Sequence, residues 1–323
     1  MILPSTSDLP GAIRVTYRQG LDDLRVLLVA EEVDLDERIA GLRQRIGEMR
    51  TLLRLIRPVV PEQAYATEEE GLRRATRLVR PLLQSRTLTT ALDLLVAEHG
   101  GQTDTRGKGT PIDRPAFALL RDRIMRRHRE LLFAMEASSV LSEITEIIPS
   151  AIKRLPNLPI AGEGFEPLRE GLAVLLGRVV RRWKMVAEDP NGSNLSSWSR
   201  QVERLHNSAR LLSDVAPDLL DEWHPALAEL SGLLDEVDGM RRLRRTLKAE
   251  RSLGERPFRR EVAALCQPIR RDRTAEALAV ALPWLAAPPE QLAARGGRAG
   301  GNIEALEETL GLTSEEIRAG RVE

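Results

Sequence analysis

The chain has 323 residues, 42% of them hydrophobic but only 3% aromatic, so it can bury a sizeable core built from Leu, Val, Ile and Ala rather than rings. Its 48 basic and 48 acidic residues cancel. Bulk charge therefore gives no argument for a polyanionic partner, and only a local arrangement could make one. A single cysteine, Cys266, excludes an internal disulfide and any cysteine-based metal site.

Apolar residues recur at three- and four-residue spacing over 11–30, 33–57, 68–98, 113–155, 165–188, 194–214, 217–250, 256–267 and 271–287, each of which is predicted as helical. No period-two run of β-branched residues marks a strand. Pro58 and Pro61 are expected to end the second segment, because proline cannot continue a helix. GGQTDTRGKGTP (100–111), LPNLPIAGEGFEP (155–167) and EDPNGSN (188–194) read as loops. GGRAGG (296–301) reads as a hinge before a short tail helix, where Thr313 and Glu316 have capping-box spacing. The first residues lack a basic region followed by an apolar run, and no segment is apolar for long enough to span a bilayer; a cytoplasmic protein is expected.

An internal repeat outweighs any single segment. RLIRPVVPE (54–62) and RLLSDVAPD (210–218) are offset by 156 residues, which carries Arg54 onto Arg210 and Pro61 onto Pro217. Each copy closes a long amphipathic helix. The expected organisation is all-α, with helical halves at 1–155 and 160–295 and a tail at 296–323.

The basic residues are almost all arginine, with four lysines among the 48. On a helical wheel at about 100° per residue, Arg43, Arg50, Arg54 and Arg57 fall in one stripe beside an apolar face of Leu42, Ile46, Met49, Leu53 and Ile56. No acidic residue lies three or four positions away on that stripe; Glu48 points elsewhere. Four like charges in line need an outside compensator, either carboxylates on another helix or a bound polyanion. Further basic residues stand in RVVRRWK (178–184), in MRRLRRTLKAER (240–251), and at Arg200, His206 and Arg210, with Glu203 opposing the last group.

These patterns resemble the CHAD domain, an all-helical family of two pseudo-symmetric four-helix halves. Each half of that family carries a helix reading approximately His-x-x-Arg-Lys-x-x-Lys-x-Leu-Arg. Here Ala40 stands at the histidine, Arg43 and Arg50 match the arginines, and Gln44 and Gly47 replace the lysines. In the second half Ser196, Ser199, Arg200, Glu203 and His206 occupy the same positions in order. The next helices carry Arg86-Thr87 and Asp238-Gly239 where the family has Arg-Asp and His-Asp. The resemblance covers about residues 10–290 and rests on rhythm more than on invariant residues.

The resemblance implies non-catalytic binding of inorganic polyphosphate or a similar polyanion in a groove between the halves. Arg43, Arg50, Arg54 and Arg57 would form the main cationic rail, supported by Arg86, Arg178, Arg181, Arg182, Arg200 and Arg210. Guanidinium groups of both halves would converge on a cleft that carboxylates leave uncovered. The alternative is a degenerate scaffold of this fold that has lost the polyanion and acts through a protein partner. No cofactor, membrane or sequence-specific nucleic acid is expected, and the protein would sit in the cytoplasm with polyphosphate granules. The four histidines, His99, His128, His206 and His224, lack metal-ligand spacing, and GKGT at 107–110 lacks the first glycine of a P-loop.

Overall fold

The computed structural model of the protein describes residues 1–100, 110–162, 166–215, 217 and 223–285. Among these residues nine α-helices and no strands occur: α1 Leu9–Val29, α2 Leu35–Leu55, α3 Glu62–His99, α4 Pro115–Glu136, α5 Val140–Arg154, α6 Glu166–Glu188, α7 Gly192–Leu211, α8 Trp223–Ala249 and α9 Arg256–Leu285. The all-α expectation therefore holds. The 100–111 loop falls almost wholly outside the described residues, as do the hinge, the tail helix and most of GKGT.

Local chemistry fixes several helix starts. Asp8 accepts a hydrogen bond from the Gly11 amide at 2.9 Å, and Asp34 one from the Asp36 amide at 2.9 Å. Asn191 accepts from both the Ser193 and Asn194 amides at 2.9 Å. Each side-chain oxygen satisfies amides that a first helical turn leaves unpaired.

Two boundaries differ from the sequence reading. The predicted 113–155 segment is broken at Ala137–Ser139, where the Ala137 amide still bonds to the Phe133 carbonyl but the next residues turn. The predicted break between 267 and 271 is absent, and α9 runs through Pro268. Pro268 itself is exposed, whereas Cys266 and Ile269 beside it are buried, so packing holds a helix whose one missing donor lies on the water side. Pro81 in α3 and Pro149 in α5 are tolerated likewise.

The chain forms two compact units, each drawing on residues from both 1–155 and 160–295. The described residues of the first fall within 1–79, 140–231 and 278–285, and those of the second within 80–139 and 232–277. In the first unit α2 packs on α1, α6 and α7. The apolar face of α2 (Leu42, Ile46, Met49, Leu53, Ile56) is buried, as are Leu195, Trp198, Val202 and Leu205 of α7. Gly171 lets α6 approach the end of α2 closely: a Cβ there would lie 1.9 Å from the Leu55 carbonyl oxygen. The second unit is built around Leu88, Leu92 and Leu95 of α3, Phe117, Leu120 and Ile124 of α4, Met240, Leu243 and Leu247 of α8, and Val262, Cys266 and Ile269 of α9. Gly239 of α8 comes within 3.3 Å of the Ala91 methyl, measured from a Cβ placed on it.

Candidate functional site: an arginine cluster on the α2–α7 seam

The stripe predicted on α2 forms, but it is not bare. Arg50 grips Glu69 of α3 with Nη2 at 2.6 Å from Oε1 and Nε at 3.2 Å from both oxygens. Arg54 donates to the same Oε1 at 2.8 Å. Arg43 reaches Glu203 of α7 at 3.2 Å, and Arg57 reaches Glu62 at 3.3 Å while its guanidinium lies 5.0 Å from the centre of the Tyr65 ring. Arg210 contacts Glu48 at 3.4 Å. The expectation that carboxylates leave these arginines uncovered is therefore corrected. The compensating residues come from other helices, α3 and α7, or from the far side of α2, where a wheel of one segment cannot show them.

Glu48 is almost fully buried and gathers several donors: the Met1 amino group at 3.0 Å, Arg45 at 2.7 Å, Gln44 at 3.1 Å and Arg210. It points off the arginine stripe, as the wheel indicates, and into the α2–α7 seam.

Arg204 was not singled out by the sequence reading. It lies on α7, and its Nη1 donates to Gln201 Oε1 at 3.0 Å. It has no carboxylate in ion-pair contact among the described residues. Burial pushes its guanidinium down to about 10, and the positive charges of Arg54, Arg50 and Arg200 push the same way against the single opposing charge of Glu69. Arg54 is lowered too, first by burial and then by Arg50, with Glu69 working against both. Arg204 thus lies within the field of three other guanidinium groups, on Arg50, Arg54 and Arg200, while Glu69 is bonded to Arg50 and Arg54. The signal in the sequence was the Arg200–Arg204 spacing of four, which stacks the two side chains on one face of α7.

The remaining predicted residues lie apart in the chain's elements. Arg86 belongs to the second compact unit. Arg178 and Arg181 are exposed on α6, and Arg182 Nη1 sits 3.3 Å from the Met185 sulfur. The imidazoles of His206 and His224 meet edge to face with centroids 5.1 Å apart. Burial, then His224 and Arg210, lowers His206 to about 4. Among the described residues no group of three His, Cys, Asp or Glu side chains could hold a metal ion, and no helix is long and apolar enough to cross a membrane.

An all-α chain whose paired helices concentrate arginine on one seam is the class of protein that fold and site define. A family model for the CHAD domain matches residues 19–238, and the chain belongs to that family. CHAD domains in general bind polyphosphate-type ligands. No curated protein and no solved structure gives a match to the chain.

Proposed function

We propose that this protein binds inorganic polyphosphate, or a polyanion of similar charge density, without transforming it, and that the Arg50–Arg54–Arg200–Arg204 cluster is the anchor. The observation that supports this reading most is Arg204. A partly buried guanidinium disfavoured by three neighbouring ones, with the nearby carboxylate of Glu69 already bonded to two of those, is a costly arrangement that an incoming phosphate would relieve. Arginine suits the task, since its planar fork presents paired donors to phosphate oxygens. The seam supplies fixed positive charge to a ligand that carries its own negative charge along a repeating chain. Binding and orientation are what such a site offers; the reading assigns it no bond-breaking step. The protein would then sit with polyphosphate granules in the cytoplasm.

Pairing of Arg43, Arg50, Arg54, Arg57 and Arg210 with protein carboxylates favours a second reading, a scaffold of the same fold that has turned its arginines inward and works through a protein partner. Titration with long-chain polyphosphate at low and high salt separates the two. Under the first reading binding is tight at low salt and weakens steeply as salt rises, through counterion release. The charge reversals Arg50→Glu and Arg54→Glu together abolish it while circular dichroism shows a folded protein. An absence of binding even at low salt leaves the scaffold.

A further inference from the structure

The outer face of α1 carries a pattern that neither the fold nor the arginine cluster uses. Gly11, Val15, Arg18, Asp22, Val26 and Val29 are spaced four, three, four, four and three residues apart, which puts them on one side of the helix. The opposite side, with Ile13, Tyr17, Leu21, Leu24 and Leu28, is buried in the first compact unit. The outer valines are among the barest large apolar side chains of the described residues: Val15 is 65% exposed, Val26 63% and Val29 65%. Helix formation does not explain them, because β-branched residues are weaker helix formers than Ala or Leu. Between the valines lie Arg18 and Asp22, also well exposed and only loosely engaged with each other, Nε to Oδ2 at 4.0 Å.

The stripe reads nearly the same from both ends. When two copies of α1 are laid antiparallel about a two-fold axis level with Gly20, Val26 of one faces Val15 of the other and Asp22 faces Arg18, while Val29 reaches only the first turn, where the Asp8 carboxylate covers Gly11. Across the centre of the pair valine meets valine, and each charge meets its opposite twice. Such self-complementarity is what an isologous two-fold contact requires. A strongly acidic or basic partner would find one charge of the Arg18–Asp22 pair opposed to it.

We propose that this face of α1 is a self-association surface and that its partner is α1 of a second copy of the chain, packed antiparallel. A helix of this length is about 31 Å long. One face of it falls below the roughly 1,000 Å² that stable interfaces clear, so the dimer is a weak, reversible one. The inference does not depend on what the arginine cluster binds.

Sedimentation equilibrium of the full chain from micromolar to near-millimolar concentration, without polyanion, tests it. The wild type is expected to show a reversible monomer–dimer equilibrium. Arg18→Asp and Asp22→Arg should each weaken it about tenfold or more, since each places like charges opposite one another. The double variant Arg18→Asp/Asp22→Arg should restore it, and thermal melting should show all three folded. A monomer at every concentration overturns the proposal, as do single changes without effect or a double variant that fails to recover. Orientation is checked by oxidising a mixture of Val15→Cys and Val26→Cys proteins. The native Cys266 is buried, and burial pushes its thiol up to about 12, so it adds little background. Mixed disulfides should dominate over same-position ones; the reverse, or equal yields, overturns the antiparallel arrangement.

Discussion

Two places along the α2–α7 seam make a comparison that the internal repeat sets up. At one, Arg210 of α7 meets the buried carboxylate of Glu48 on α2. At the other, Arg54 of α2 and Arg204 of α7 lie close enough for each charge to disfavour the other. The 156-residue offset carries Arg54 onto Arg210 and also Glu48 onto Arg204. Equivalent positions thus hold an opposite-charge pair in one place and a like-charge pair in the other. The first is closed within the protein. The second borrows Glu69 from α3 and still leaves guanidinium charge in excess of what that carboxylate offsets. The difference teaches where the chain stabilises itself and where, under the proposed function, it would keep attraction in reserve for a ligand.

The comparison breaks most visibly through Glu48. Replacing it by Ala strands Arg210, Arg45 and the amino group around a vacated carboxylate site. Loss of one partner from a buried ionic cluster costs about 3–5 kcal/mol, which thermal or denaturant unfolding would register, while polyphosphate affinity of the folded fraction stays near wild type. Arg204→Met should do the opposite. Removing a desolvated cation from among like charges leaves stability unchanged or raises it, whereas the loss of one charge-assisted contact, about 1.5–3 kcal/mol, lowers affinity roughly tenfold to a hundredfold in a binding titration. A destabilised Arg204→Met protein with full affinity would reverse the roles assigned to the two places.

A smaller effect sharpens the picture at Glu69. This carboxylate occupies the donors that a phosphate would take, so Glu69→Gln should tighten polyphosphate binding by about threefold to tenfold, at a stability cost of about 1–3 kcal/mol, since the amide oxygen can still accept a hydrogen bond but the countercharge to two guanidinium groups is lost. The least effect is expected in the pH response of His206. Its folded value, lowered to about 4, lies below the value near 6.5 of an unfolded histidine. The unfolded chain therefore takes up the proton first, and stability contributed by the neutral imidazole is lost as pH falls from about 6.5 toward 4. Unfolding free energies across that window should fall less in His206→Gln than in wild type, by on the order of 1 kcal/mol. Parallel curves would remove His206 from the argument.

Much of this was legible in the sequence. Period 3.6 gave the helices, and the wheel of 40–57 correctly separated a buried apolar face from an arginine stripe. The partners were not legible, because Glu69 and Glu203 reach that stripe from other helices, and a wheel of one helix carries no information about its neighbours. Arg204 was hidden for a related reason: what makes it unusual is Arg54, which is distant in sequence. The expected break beside Pro268 is absent because burial of Cys266 and Ile269 outweighs one missing donor. The turn at Ala137–Ser139 left no trace, since the apolar rhythm of 113–155 continues across it.

Near-exclusive use of arginine has a consequence of its own. A lysine at position 204, partly buried beside the same positive charges, would be pushed down from a lower starting point and hold its charge less firmly. The guanidinium, starting higher, stays protonated at neutral pH even when desolvated. Neither acidification nor mild alkalinity can switch this seam off, and lysine acetylation has no purchase on it; any control over what it holds must come from competing ions or from the protein's own carboxylates.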